Sequence, residues 1–295
     1  MKIAIILFSP GGNTLKVAEK IKQFAPNNFC VQLLDITGRE EIFTRKQGTR
    51  FLEETVTDHD LLLIGSPVYA HHIQYHVQDL IRQLPRPDRK WGELAAAFVT
   101  FGDISSGIAL NEANRLLEKS GRKIIGGLKV TAEHSLTRLL DSPINNGKPG
   151  HEIDEIILNF WEKIIARLNK DINVRELKNN MNYQPKKDRV KAHIIFREKL
   201  WQKFLYPKIS IDPEKCTLCG CCVTKCPVNH LQIINQSLCE LKTSDCITCG
   251  NCVVNCPQKA MMMTGNIDKF AEMVQQYRAG KSKIASNEFP KNQCF

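Results

Sequence analysis

The residues with the most specific chemistry in this chain are eight cysteines. Cys216, Cys219, Cys222 and Cys226 are followed by Pro227 and read C-x2-C-x2-C-x3-C-P. Cys246, Cys249, Cys252 and Cys256, followed by Pro257, repeat the pattern thirty residues later. Thiolates three residues apart can wrap one metal cluster, while a fourth is carried off to the other half of a repeat. Gly220 and Gly250, each after the second cysteine, suit a chain that turns tightly with amides pointing at sulfur. The alternative ligand is zinc, which also takes four cysteines, but in paired C-x2-C knuckles rather than four-cysteine runs ending in proline. Four further cysteines stand outside the pattern. Cys221 and Cys239 read as small buried side chains beside the metal rather than as a spare ligand or a redox thiol, Cys30 as strand core, and Cys294 has no assigned role.

A second constellation opens the chain. In "FSPGGNTLKVAEKI" (8–21), an apolar strand runs into a polar turn and then a helix. The amides of Gly11, Gly12 and Asn13 and the hydroxyls of Ser9 and Thr14 could converge on an anion at the helix N-terminus. A plain strand-to-helix turn is the bland alternative. No lysine closes the loop as in a Walker motif, and no GxGxxG fingerprint is present. His71, His72 and His76 form a small group that could move protons, but they read better as solvated loop residues.

These groups need elements to hold them. Apolar runs at 2–8, 29–36, 59–66, 94–102 and 123–130 read as strands, the first near-continuously apolar as expected of a strand buried on both faces. Helical periodicity appears at 14–24, 76–84, 108–121 and 151–170. Five strands alternating with helices predict an α/β fold with a doubly wound five-stranded parallel sheet, followed by a small α+β domain. The expected division is 1–170, a basic amphipathic connector over 171–205, the cysteine domain at 206–265, and a helix with a loosely tied tail at 266–295. The connector, with Ile195, Leu200, Trp201, Phe204 and Leu205, reads as a strut between domains, or alternatively as a docking or membrane-surface helix.

Composition bounds the rest. Of 295 residues, 42% are hydrophobic and 24% charged, ordinary for a soluble globular chain. No apolar run is long enough to span a bilayer, and "MKIAIILFSPGG" lacks a cleavage site, so a cytoplasmic protein is expected. Ten of the twelve cysteines crowd between Cys216 and Cys256, which suits metal ligation in a reducing compartment rather than disulfides. The formal charge is +10. If the eight cysteines hold two iron–sulfur clusters, these contribute about −4, and a phosphate-bearing ligand in the N-terminal turn would remove about two more, leaving roughly +4. That balance, with no recognition motif, argues against nucleic-acid binding and for steering of a small acidic partner.

Residues 205 to 265 resemble a bacterial-type two-[4Fe-4S] ferredoxin domain. The resemblance implies crossed ligation: Cys216, Cys219, Cys222 and Cys256 on one cluster, and Cys246, Cys249, Cys252 and Cys226 on the other. Gly12-Asn13-Thr14 and residues 1 to 168 resemble flavodoxins. That resemblance implies FMN held by Ser9, Gly11, Gly12, Asn13 and Thr14, with loops after strands three and four over the ring. Those loops would contribute Ser66, Pro67, Val68 and Tyr69, and Thr100, Phe101, Gly102 and Asp103. Two departures stand out. No tyrosine closely follows Gly102-Asp103, which leaves Tyr69 and Phe101 to stack on the flavin, and Pro10 replaces a hydroxyl in the phosphate turn. The whole chain resembles flavodoxin–ferredoxin fusions of anaerobes. This implies an electron-transfer iron–sulfur flavoprotein that exchanges electrons with a soluble acidic ferredoxin-like partner, without NAD(P)H, and in an oligomeric state that could be a homodimer. Membrane association is not expected. The alternatives are a dedicated reductase for a corrinoid or radical enzyme, and a redox or oxygen sensor.

Overall fold

The structure is a computed structural model that describes residues 1–43, 45–140, 143–168, 173–241, 245–280 and 290–295. Five strands form the parallel sheet: β1 (Lys2–Leu7), β2 (Cys30–Asp35), β3 (His59–Tyr69), β5 (Trp91–Phe101) and β6 (Lys123–Thr131). A two-residue strand, β4 (His72–Ile73), folds back on β3. The spatial order β6-β5-β3-β1-β2 places a topological switch between β1 and β3. Helices α1 (Asn13–Gln23), α2 (Arg45–Thr55), α3 (Tyr75–Gln83), α4 (Ala109–Lys119) and α5 (Asp154–Leu168) lie along the chain between or after these strands. Alternation along β1 shows why the sheet needs two covers. Ala4, Ile6 and Phe8 join one buried core, and Ile3, Ile5 and Leu7 join the other.

Helix α2 has no counterpart in the sequence reading. Its apolar content within 45–55 is Phe51 and Leu52, and Gly48 interrupts it, so its periodicity is weak. Leu52 is nevertheless fully buried. The expected helix at 151–170 begins with a 3-10 turn and is α-helical over α5; its last two residues, and with them the expected boundary at 170, lie outside the described residues.

The connector folds as three short helices, α6 (Val174–Met181), α7 (Lys186–Ile194) and α8 (Glu198–Phe204). The cysteine domain follows. Strand β7 (Lys208–Ile211) pairs antiparallel with β10 (Met261–Thr264), and β8 (Leu231–Ile234) with β9 (Ser237–Glu240). One-turn helices α9 (Cys221–Thr224) and α10 (Asn251–Val254) start from Gly220 and Gly250, whose φ angles are 75° and 77°. The thirty-residue repeat is written into the backbone. Left-handed residues recur at Leu218 and Thr248 and at Asn229 and Lys259, with φ between 50° and 55°.

The chain ends with α11 (Ile267–Arg278) and β11 (Gln293–Cys294). Part of the expected loose tail, 281–289, lies outside the described residues. Its last residues are firmly tied. β11 adds an antiparallel edge to β6, and the Phe295 side chain is buried. Lys163 Nζ donates to Cys294 O at 2.9 Å and an Arg167 guanidinium nitrogen to Phe295 O at 2.7 Å. The sheet therefore has a sixth, antiparallel member on its main path. Cys294 is buried here, whereas Cys30, expected in the core, is exposed because it opens the edge strand β2.

The two halves share one core. Val228, Ile247 and Cys249 of the cysteine domain are buried in the same cluster as Ile6, Phe8 and Ile64 of the sheet. Polar bonds stitch the seam: Gly38 N donates to Pro227 O at 2.8 Å, and Asn229 Nδ2 to Gly38 O at 2.9 Å.

Candidate functional site

The cysteines ring two cavities. Cys216, Cys219, Cys222 and Cys256 line one of about 360 Å³, with Ile233, Leu238 and Met261 as its apolar wall. Cys226, Cys246, Cys249 and Cys252 line another of about 410 Å³, closed by Ile209, Val228 and Ile247. Each ring takes three cysteines from one motif and the fourth from the other. Among the described residues no three His, Cys, Asp or Glu side chains converge to hold a single metal ion. Four cysteines lining each cavity can hold one polynuclear cluster apiece.

Amides converge on the sulfurs symmetrically. His230 N donates to Cys226 Sγ at 3.2 Å and Ala260 N to Cys256 Sγ at 3.3 Å, again thirty residues apart. The rings differ in depth: Cys219 is exposed, while Cys249 is only 7% accessible. Burial pushes the Cys246, Cys249 and Cys252 thiols up, Cys249 to about 12. Four thiolates can share that cavity only around a cationic core. Cys221 lies beside the outer ring and its Sγ approaches Asn255 O at 3.1 Å. It and Cys239 are half-buried rather than enclosed.

A third cavity, about 950 Å³, opens at the carboxyl ends of β1, β3, β5 and β6. Its phosphate-turn side is Pro10, Gly11, Asn13 and Thr14, and its second and third walls are Pro67, Val68 and Tyr69, and Thr100, Phe101 and Gly102. Thr14 Oγ1 and Thr100 Oγ1 are 2.8 Å apart and lock two of these loops together. The remaining expected residues stand behind the lining. Ser9 Oγ accepts from Leu15 N in the first turn of α1 at 2.9 Å, and Gly12, the N-cap, supplies the left-handed turn at φ 82°. Ser66 Oγ is buried between Pro67 O and Gln74 N. Asp103 accepts from Tyr277 Oη at 2.7 Å and holds Lys291, so it clamps the C-terminal segments over the cleft.

Sequence reasoning missed two parts of this cleft. The loop after β6 contributes Ala132 to Leu136, a position that the rule of ligands at strand carboxyl ends could have flagged. The roof is Trp201 and Tyr206 from the connector side, Thr248 from the cysteine domain, and Phe270 and Met273 of α11. It is assembled from distant segments and carries no local signal.

The cleft fits a planar, partly polar ring. Tyr69 Oη and His134 Nδ1 are buried in its wall with no protein hydrogen-bond partner, and such groups call for a ligand partner. Burial pulls His134 down to about 4, so its imidazole is neutral near pH 7. Arg138 sits at the seam. Its guanidinium donates to Asn251 Oδ1 at 3.0 Å and reaches Cys249 O at 3.5 Å. It also comes within 3.9 Å of where a Cβ on Gly11 would lie. Asn251 Nδ2 in turn donates to Pro10 O, which ties the phosphate turn to the inner cysteine loop.

The histidine group is not solvated. His71 stacks on Phe196 at 3.9 Å, and His72 Nδ1 lies 3.0 Å from Glu112 Oε1. His76 is buried beside Phe8 and Tyr75, and burial pulls it down to about 4. His76 falls at the start of α3, on the face that also buries Leu80 and Gln83.

Close approach makes Gly102 a sharp probe of the cleft. A Cβ there would lie 2.4 Å from His134 Cδ2 and must displace that buried ring. Gly102→Ala is expected to weaken FMN binding about tenfold or more, as a clash costing 1–3 kcal/mol, measured by flavin fluorescence titration of flavin-depleted protein. Unchanged affinity would mean the loop does not face the ring.

Comparison with known proteins gives two family matches. Residues 1–134 match the model described as NADPH-dependent FMN reductase, and residues 208–281 match that described as 4Fe-4S dicluster domain. No curated protein matches. Among solved structures, the chain is similar to rubredoxin oxygen:oxidoreductase from the anaerobe Desulfovibrio gigas at 19% identity, covering 57% of this chain and 36% of that one, with a TM-score of 0.40. It is also similar to a flavodoxin from the domain Archaea at 16% identity, covering 56% and 99%, with a TM-score of 0.35. A flavodoxin of Streptococcus pneumonia gives 13% identity, 57% and 99% coverage, and a TM-score of 0.39. By the two family models, the chain joins an FMN-binding α/β domain to a C-terminal 4Fe-4S dicluster domain. This pairing defines the class of protein, an iron–sulfur flavoprotein electron carrier. Among the described residues no helix is long and apolar enough to cross a membrane.

Proposed function

We propose that this chain is an electron relay that exchanges single electrons with a soluble ferredoxin-like protein at its outer cysteine ring and with a second acceptor on its flavin side. One observation carries this reading. Thr248, the neighbour of inner-ring Cys249, is itself a wall of the flavin cleft, so inner ring and cleft are separated by a single residue of chain. When bound, the clusters supply one-electron steps and the flavin one- or two-electron steps.

The chain's own residues set the conditions. Cys216, Cys219, Cys222 and Cys256 would hold the outer cluster where a partner can approach, and Cys226, Cys246, Cys249 and Cys252 the inner one. Gly11, Asn13 and Thr14 would bind the phosphate, with Arg138 behind Gly11. Tyr69 and neutral His134 offer polar atoms to the ring, and Trp201, Tyr206, Phe270 and Met273 exclude water from it. This roof supports the ferredoxin reading over a nicotinamide donor, because side chains of the chain itself already cover the cleft. The test is anaerobic stopped-flow reduction of the holoprotein. Reduced ferredoxin is expected to bleach both the iron–sulfur and the flavin absorbance, whereas NADPH and NADH leave them unchanged. Rapid bleaching by a nicotinamide alone would overturn the reading.

A further inference from the structure

The connector carries a surface that the relay leaves unused. On α7, α8 and the residues flanking them, Val190, Ile194, Ile195, Leu200, Phe204 and Leu205 are 43% to 65% exposed. Large apolar side chains gathered like this mark a contact surface. Ile195 and Leu205 line an apolar groove whose inner wall, Trp201, Tyr206, Phe270 and Met273, is also the roof of the flavin cleft. An aromatic run leads inward: Phe196 to Trp201 at 5.2 Å and Trp201 to Tyr206 at 5.9 Å. Lys191 and Lys269 stand on the groove's rim.

We propose that this face docks a small acidic redox protein, which exchanges an electron with the chain on the flavin side, separately from the partner served by the outer cysteine ring. The inference rests on the relay reading above and adds where the second partner sits. An apolar centre ringed by cations is the complement of an acidic protein with an apolar patch around its redox centre. Between 186 and 204 there are seven lysines and arginines against two acids. Of the two acids, Glu198 is buried and Asp188 lies 3.8 Å from Lys191. A second copy of the chain would set that basic rim against itself. A lipid surface is better met by one continuous amphipathic helix, and here two helices of nine and seven residues are broken where Phe196 turns inward onto His71. The shared wall places a docked protein one side-chain layer from the cleft. In the exchange, the docked protein's centre loses one electron and this chain gains it, or the reverse.

The test uses the holoprotein and an immobilised acidic flavodoxin, with binding followed by interferometry across a salt series. Leu200→Glu/Phe204→Glu is expected to weaken binding at least about tenfold, and Lys191→Glu/Lys269→Glu to weaken it similarly and flatten its salt dependence. Lys225→Glu/Lys259→Glu, on exposed residues beside the cysteine motifs, should bind flavodoxin like the parent. Equal binding by all variants, or loss only in the last, overturns the proposal. So does vesicle co-sedimentation on phosphatidylglycerol without flavodoxin binding, or a dimer in sedimentation velocity that Leu200→Glu/Phe204→Glu dissociates. Iron and flavin contents of each variant separate the two readings. A parent protein that lacks either cofactor sinks the relay, whereas loaded variants that still bind flavodoxin sink only the docking face.

Discussion

Replacing Cys249 by alanine is expected to halve the metal content of anaerobically purified protein, from about eight iron and eight sulfide per chain to about four of each. Cys219→Ala should remove the same amount, since each supplies one thiol to one ring. The two variants part in every other respect. Cys249 is buried within the core that joins both halves, and its carbonyl faces Arg138. Cys219 is exposed at the outer ring. Loss of the inner cluster therefore leaves a void in shared core, whereas loss of the outer one leaves a void near solvent. Cys249→Ala should show a markedly lower denaturation midpoint than Cys219→Ala, because structural metal binding is folding free energy. It should also decouple the flavin. Dithionite should still bleach the remaining cluster, but flavin bleaching should lag far behind that in Cys219→Ala. Iron analysis, urea denaturation and stopped-flow absorbance read these three effects. Full iron retention in Cys249→Ala would remove that residue from the ligand set, and identical flavin kinetics in the two variants would show that the inner ring is not the one beside the cleft.

What the sequence disclosed follows from how local each signal is. The cysteine spacing is a property of twelve consecutive residues, so the motifs, their thirty-residue repeat and the tight turns at Gly220 and Gly250 could be read directly. The inner strands were equally plain, because runs such as Ile3–Leu7 and Leu61–Ile64 are buried on both faces and need no alternation to announce themselves. The phosphate turn was legible as a turn, but not the division of labour within it, since Ser9 Oγ is taken by the Leu15 amide while Gly11 and Thr14 face the cleft. The roof was hidden. Trp201, Thr248 and Phe270 come together only through tertiary packing, and nothing near any of them in sequence points to a shared wall. The return of Gln293–Cys294 to β6 was hidden for the same reason, being a two-residue pairing across more than 160 positions. His76 is a different case. Its spacing to Leu80 and Gln83 put it on the inner face of α3, and that signal was present but outweighed by its neighbours in "HHIQYH".

Glu198→Gln is expected to stabilise the protein strongly at pH 8 and less at pH 6. The carboxyl lies at the start of α8, turned into the protein. It accepts from Gln74 Nε2 at 3.3 Å, from Tyr75 N at 3.2 Å and from Gln202 Nε2 at 3.1 Å. Among the described residues no cation is bonded to it: Lys199 instead faces Asp245 at 3.5 Å, and His72 is held by Glu112 and Ala192. Tyr69, Tyr75 and Tyr206 are the other ionisable groups around it. Burial dominates and pushes Glu198 up from 4.5 to about 8, against the downward pull of the Tyr75 amide and Gln74. A raised carboxyl pKa means that the folded chain holds a proton which the unfolded chain has already released between pH 4.5 and 8. Folding stability contributed by this group is therefore whole below pH 4.5 and is lost as pH rises toward 8, at about 1.4 kcal/mol per pH unit. Between pH 6 and 8 the loss is about 3 kcal/mol. Glutamine keeps an acceptor for Tyr75 N and has no charge to bury, so the variant should lack this slope. Urea denaturation midpoints of the holoprotein and the variant at the two pH values measure it. If the two proteins fall in parallel, or the variant is weaker at both, the carboxylate is ionised in the folded state and the argument fails. The consequence reaches the site, because α8 carries Trp201 and Glu198 fastens α8 to the start of α3. Ionising Glu198 loosens the helix that roofs the cleft, so FMN retention should fall with rising pH in the parent and stay level in Glu198→Gln.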